Sequence, residues 1–358
     1  MLSVNKFLLC YLLVPFAYIQ TSAANCNIPE FLAADKVDEY LAVTGQQPCS
    51  NDKSMNDKAV YMTDNRFDVY MAEGAIQQAA RATAALILKS KLKKEGDYYI
   101  ANHPPTLKEV GWCASEAFSK QPILASCSAF MVAKDILVTA GHCFRGADGA
   151  PIHDYYVVFG YEMQSNQRAK LRFPAKDVYL INKEIEVKKT VVQDSAVVQL
   201  NRAVNDRQIF KFKAGEIAKG TKLTLFGYPS GLPLKIANGG KVLENQMSKT
   251  VFASNVDAFH GNSGSPVLNS AGLKQNPPRF MVEGILVSGS DDYSKTDLNR
   301  QGCARSIPCQ AIHINYNRGG RCTSEIITKI NRVVAVDKPT PSAQVLENSI
   351  INLFLNKQ

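Results

Sequence analysis

Residues 259–267 read FHGNSGSPV, a turn in which two glycines bracket Ser263 and a Pro-Val pair leads into an apolar strand. Glycines on both sides permit the tight backbone that exposes a hydroxyl, because glycine reaches conformations closed to other residues. The amides of Gly261 and Ser263 can then face one oxygen, the arrangement that stabilises an oxyanion. GNSG alone is also a common turn between strands, so its weight depends on what stands upstream. There, ILVTAGHCF at 136–144 puts His142 at the end of an apolar strand and beside Cys143, with Cys127 in the preceding run. A disulfide between these two cysteines would clamp the loop that carries the imidazole. DSAVVQL at 194–200 opens with Asp194, whose carboxylate an apolar strand would hold at a rigid, partly buried edge. A hydroxyl nucleophile, an imidazole to take and return its proton, a carboxylate to hold that imidazole, and backbone donors are the parts of serine-based acyl transfer. His103, His153 and His313 lack such surroundings and read as hydrogen-bonded structural residues.

The chain has 358 residues, 46% of them hydrophobic, enough for one large or two small cores. Residues 1–24 have the order of a secretory signal: Lys6 near the start, an uncharged apolar run from Phe7 to Ile19, then QTSAA with a small-residue cleavage site. The run is broken by Pro15 and falls short of the roughly 20 residues that a bilayer span needs, so no stable membrane anchor is expected. Of nine cysteines, Cys10 leaves with the signal, and the even remainder in an exported chain reads as disulfides formed in an oxidising compartment, secreted or periplasmic. The formal charge is +9. Its Lys and Arg are scattered without an aromatic-basic motif, which points to a soluble basic surface and no nucleic-acid partner.

Residues 25–58 are polar, carry Cys26 and Cys49, and lack the apolar content for a core of their own, as in a pro-segment or N-terminal extension. EGAIQQAARATAALIL predicts a short helix leading into a strand. Short β-type runs follow, among them DYYVVFGYE, TKLTLFGYP and RFMVEGILVSG, separated by Gly, Pro and Asn turns. This pattern predicts an all-β barrel or sandwich. Residues 336–358 form a tail, in which VLENSIINLFL has an amphipathic helical pattern but equally fits a loosely packed end.

The order TAGHC, DSAVVQL, GNSGSPV and the Cys127 to Cys143 spacing resembles the chymotrypsin family of serine peptidases. The GNSGSP form is similar to its secreted bacterial trypsin-like and glutamyl endopeptidase branch, and TDNRFDVY, GYPSGLPLKIA and SNVDAFHGNSGSPV extend the likeness over roughly residues 60–330. The resemblance implies an all-β fold of two antiparallel six-stranded barrels over residues 59–335, with a boundary near 205–215 and the active site at their interface. It implies a catalytic triad of His142, Asp194 and Ser263, an oxyanion hole at Gly261 and Ser263, protein or peptide substrates, a monomer, and neither cofactor nor metal. By position, Asp257, Ala258 and His260 would form one wall of the substrate pocket and Val287, Ser288 and Gly289 another. Asp257 occupies the place that receives Lys or Arg in trypsin-like members, or else it bonds backbone amides. GILVSG has no counterpart of the pocket histidine of the glutamate-specific enzymes, so glutamate cleavage is not expected.

In the animal enzymes of this family a new amino terminus pairs with a carboxylate before the nucleophile. Here that position is the neutral Asn262, and TDNRF resembles the segment near the mature start of the bacterial branch, which implies a zymogen that loses residues 25–58. Fifteen pairings of the other six mature cysteines are open. Proximity favours Cys26 with Cys49, leaving Cys113, Cys303, Cys309 and Cys322 for the catalytic domain. A zinc set of Cys303, Cys309, His313 and Cys322 is the lesser alternative, because its spacing matches no familiar finger. Two rivals to an active peptidase stand beside it. One is a catalytically silent homologue acting as a binding protein or adhesin; the other is an esterase, for which the GxSxG elbow is missing.

Overall fold

The computed structural model describes residues 28–45, 64–144, 150–190, 193–212, 215–289, 292, 302–307 and 324–334. The signal segment 1–24, the tail 336–358, Cys26, Cys49, Cys309, His313 and Cys322 lie outside the described residues. In chain order the first strands are β1 (Arg66–Asp68), β2 (Thr83–Leu88), β3 (Leu92–Glu95), β4 (Tyr98–Ala101), β5 (Cys127–Met131) and β6 (Ile136–Thr139). Next come β7 (Tyr155–Phe159), β8 (Met163–Ser165), β9 (Arg168–Ala169), β10 (Arg172–Pro174), β11 (Val178–Lys189) and β12 (Asp194–Leu200). The second half carries β13 (Lys222–Gly227), β14 (Lys235–Glu244), β15 (Val251–Ser254), β16 (Pro266–Asn269), β17 (Val282–Ser288) and β18 (Glu325–Lys329).

These strands build two six-stranded antiparallel barrels, the chymotrypsin-like fold. The first closes in the order β11-β12-β6-β5-β2-β7. The second runs β14-β13-β16-β17-β18-β15 and closes through the pairing of β14 with β15, while β1 adds to the outer edge of β14. Closure removes the open edges that would otherwise template aggregation. Strands such as β5 (CSAFM) and β6 (ILVT) are buried at every position, so they read as continuous apolar runs rather than as alternation. Leu223, Leu225, Phe252, Val267 and Ile327 fill the second barrel. The predicted helix before β2 is present as α2 (Gly74–Arg81), which buries Ile76, Ala79 and Ala80 against the barrels.

Part of the segment read as a pro-segment is packed on this body. Residues 28–45 form a bridge between Leu32 and Ala72 and then the helix α1 (Val37–Thr44). Tyr40 is wholly buried and its hydroxyl donates to Asp64 O at 2.6 Å. A polar segment thus gains a core by contributing a few apolar side chains to a neighbour's.

The edge strand β1 is tied down by buried charge. Asp68 faces Lys235 across the β1–β14 ladder. The Lys235 ammonium donates to Asp68 Oδ1 at 2.6 Å, Gln121 Oε1 at 2.7 Å and Pro233 O at 2.9 Å, and Gln121 Nε2 donates to Asp68 Oδ2 at 2.9 Å. Every polar atom of the cluster is therefore satisfied, which a buried ion pair requires. Burial pulls the Lys235 ammonium below its usual range, and Asp68 opposes that shift. Asp68→Ala strands this ammonium and is expected to lower the unfolding free energy by about 3–5 kcal/mol. The double replacement Asp68→Leu with Lys235→Met should recover most of the loss; urea denaturation of the three proteins checks both outcomes.

Candidate active site

His142 sits in a single helical turn, residues 141–143, directly after β6. Gly141 lets that turn lie against the β11–β12 hairpin, since a Cβ there would stand 2.1 Å from Lys188 O. The imidazole is held from both sides. Its Nδ1 is 2.6 Å from Asp194 Oδ2, its backbone N–H donates to Asp194 Oδ1 at 2.9 Å, and its Nε2 is 2.7 Å from Ser263 Oγ. Asp194 begins β12 opposite Lys189, and its carbonyl accepts from Thr328 Oγ1 of the second barrel at 3.1 Å. The side chains of His142 and Asp194 are 29% and 20% exposed, partly withdrawn from water. The Cys127–Cys143 disulfide joins β5 to the histidine turn.

Ser263 is carried by a loop of the second barrel pressed onto β5 of the first. Gly261 and Gly264 have φ of 91° and 87°, in the left-handed region that side chains disfavour. A Cβ on Gly264 would lie 2.0 Å from Ser128 O, and one on Gly261 2.5 Å from Tyr228 O. The loop's carbonyls are bonded to neighbours: Ser263 O accepts from Ser128 N at 2.8 Å, and Gly261 O accepts from Ser128 Oγ at 3.0 Å. Among the described residues neither Gly261 N nor Ser263 N has an acceptor, which leaves two donors beside the hydroxyl for an incoming oxygen.

A cleft of about 640 Å³ contains His142 and Ser263. His260, Val287, Ser288 and Gly289 line it. Asp257 and Ala258 do not, and here the expectation is corrected. Asp257 is 1% exposed, and its Oδ2 accepts from the backbone N–H of Asn65 at 3.1 Å, so the chain leading into β1 covers the carboxylate. Asn262 is also buried, with its Oδ1 accepting from Ser265 Oγ at 3.4 Å.

Glu325, which no sequence motif singled out, lines the cleft while being only 6% exposed. It opens β18, and its carboxylate lies against Gly289, where a Cβ would meet Oε2 at 2.0 Å. The signal available was an acidic residue heading an apolar strand, which does not say which cavity the side chain faces. Cys303 is joined to Cys113 by a disulfide, which removes it from the alternative zinc set.

The described topology defines a two-barrel, chymotrypsin-like protein with a serine, a histidine and an aspartate in hydrogen-bond sequence at the barrel junction. Residues 127–273 match the family model of the trypsin-like peptidase domain, a span that contains all three residues. Among solved structures, the one titled as a Glu endopeptidase in complex with MPD has a TM-score of 0.45 and 13% identity, covering 84% of this chain and 98% of that one. No curated protein matches the chain.

Gly264→Ala is expected to displace the loop and abolish labelling of Ser263 by a fluorophosphonate. Gly220→Ala shares the strained φ, at 81°, but meets nothing within 4 Å. It should cost only on the order of 1 kcal/mol and leave labelling intact. Mass spectrometry of the modified peptide distinguishes the two variants.

Proposed function

We propose that this chain is a serine endopeptidase that hydrolyses peptide bonds through an acyl-enzyme on Ser263. The observation that carries the reading is the unbroken relay Asp194 Oδ2, His142 Nδ1, His142 Nε2, Ser263 Oγ, with separations of 2.6 and 2.7 Å. In this mechanism Ser263 Oγ attacks the scissile carbonyl carbon while its proton passes to His142 Nε2. Asp194 holds the imidazole with its Nδ1 proton inward and stabilises the imidazolium that forms. The new oxyanion is met by the N–H groups of Gly261 and Ser263. Collapse breaks the C–N bond, and His142 returns its proton to the departing amine. Water then attacks the ester by the same route in reverse, releasing the acid and restoring the hydroxyl.

Support against a silent homologue acting as a binding protein or adhesin comes from the completeness of the set, since the relay, both left-handed glycines and the two donors are all retained. Cleavage after Lys or Arg no longer has Asp257 as its basis. It is supported instead by Glu325, a shielded carboxylate on the cleft wall that a cationic side chain would complement. Export belongs to the same reading, and the Cys113–Cys303 and Cys127–Cys143 disulfides support it, because such bonds persist in oxidising compartments.

Ser263→Ala should fold normally and lose roughly 10⁴- to 10⁶-fold in turnover. Retained hydrolysis in that variant would refute the assignment. Glu325→Gln should lower kcat/KM for peptides ending in Arg or Lys by roughly 10- to 100-fold while sparing those ending in Leu. Equal losses on all three substrates would assign Glu325 to structure rather than to substrate choice.

A further inference from the structure

The stretch that precedes the nucleophile is gripped by the chain around β1. Asn65 N donates to Asp257 Oδ2 at 3.1 Å, and the Arg66 guanidinium stacks 4.1 Å from the centre of the Phe259 ring. That guanidinium is itself fixed: Nε and Nη2 donate to Asp64 Oδ1 and Oδ2 at 2.9 and 2.7 Å, and Arg66 is 5% exposed. Phe259 lines the cleft, and its carbonyl accepts from Asn262 N at 2.9 Å, which closes the turn carrying Gly261 to Ser263. A continuous path therefore runs from Asp64 and Arg66 through Phe259 to the nucleophile loop. One oxygen of Asp257 accepts from a peptide N–H, and the residue before Ser263 is the neutral Asn262, which offers an α-amine no charge partner.

Resting on the reading of Ser263 as nucleophile, we infer that Arg66 is a positioning residue for the nucleophile loop, and that this clamp makes Ser263 competent without release of a new amino terminus. A cation over an aromatic face in a desolvated setting is strong enough to choose one ring position. Asp64, which orients the cation, is held in turn by Tyr40 of α1 through its carbonyl. Residues 28–45 thus belong to the working form of the protein. This departs from the expectation, carried by the family resemblance, that removal of residues 25–58 precedes activity.

Two measurements on the full chain test the inference. Fluorophosphonate adducts are weighed intact: adduct on chains that keep residues 28–63 is the expected result, and adduct confined to chains that begin beyond residue 45 overturns it. The labelling rate and steady-state kinetics of Arg66→Met, Arg66→Lys and Phe259→Leu are then compared with those of the parent. Arg66→Met should lower kcat and labelling rate on the order of 10-fold with KM little changed. Arg66→Lys, which keeps a cation, should recover part of the loss. Phe259→Leu, which removes only the ring, repeats the test should Arg66→Met not fold. An unchanged labelling rate in a folded Arg66→Met or Phe259→Leu protein overturns the positioning role, since a merely structural contribution shifts the melting temperature and leaves the kcat of the folded protein alone. Absence of any labelling or hydrolysis by the parent chain would fail the peptidase reading itself, separately from the clamp.

Discussion

The bond from Ser128 N to Ser263 O, 2.8 Å long and made at a residue with no exposed surface, fixes where the serine of the candidate site stands. Ser128 belongs to β5 of the first barrel and Ser263 to the second, so the bond sets the height of one barrel against the other. The Ser128 hydroxyl donates to Gly261 O at 3.0 Å and accepts from Tyr228 N at 3.1 Å. In a dry junction each such bond has no water to replace it, and leaving one unmade costs about 1–3 kcal/mol. The neighbour of Ser128 is Cys127, bonded to Cys143, which is the neighbour of His142. Ser263 and His142 are thereby fastened to adjacent residues of one strand, and their 2.7 Å separation follows from that short loop of bonds.

The carboxylate arrives by a different route. Asp194 heads β12 in the first barrel, while Thr328 of the second barrel donates to its carbonyl at 3.1 Å. The barrels exchange anchors, the first holding the loop of the second and the second holding the strand head of the first. An interface that reciprocates in this way cannot shear without straining Ser263 and the Asp194 carboxylate together. The geometry of the Asp194–His142–Ser263 relay is consequently a property of the docking and not of either barrel alone.

Much of this was legible in the sequence because it consists of local backbone demands. GNSG states that two left-handed positions flank an exposed hydroxyl, and the structure supplies a further reason for those glycines, the close approach of Ser128 O and Tyr228 O. Strand runs such as ILVT and DSAVVQL announce burial directly, but their spacing left barrel and sandwich both open, and the two-barrel architecture was implied by the family resemblance of TAGHC, DSAVVQL and GNSGSPV. What was not legible depends on facing. Asp257 and Glu325 are each one acidic residue beside an apolar run, and nothing local says that Asn65 closes off Asp257 while Glu325 borders the cleft. The packing of residues 28–45 was hidden for a related reason. A polar composition excludes a core of its own, but it does not exclude one buried tyrosine and one leucine set into a neighbouring core.

The polar character of the clamp around β1 has its own physical logic. A strand of three residues makes only three ladder pairings, here Arg66 with Ala237, Phe67 with Ile236 and Asp68 with Lys235. Backbone bonds alone hold so short a strand in register weakly, and a slip of one residue would turn every side chain to the opposite face. Apolar contacts tolerate such a slip because they lack direction. The Asp68 carboxylate does not, since only one register sets it against Lys235 and Gln121, and a slip would leave two charges buried apart. Burying that pair instead of a hydrophobic one contributes little to stability and can even reduce it. In return, the ion pair permits a single placement of Arg66, and that placement sets Phe259 and, through it, the loop on which Ser263 stands.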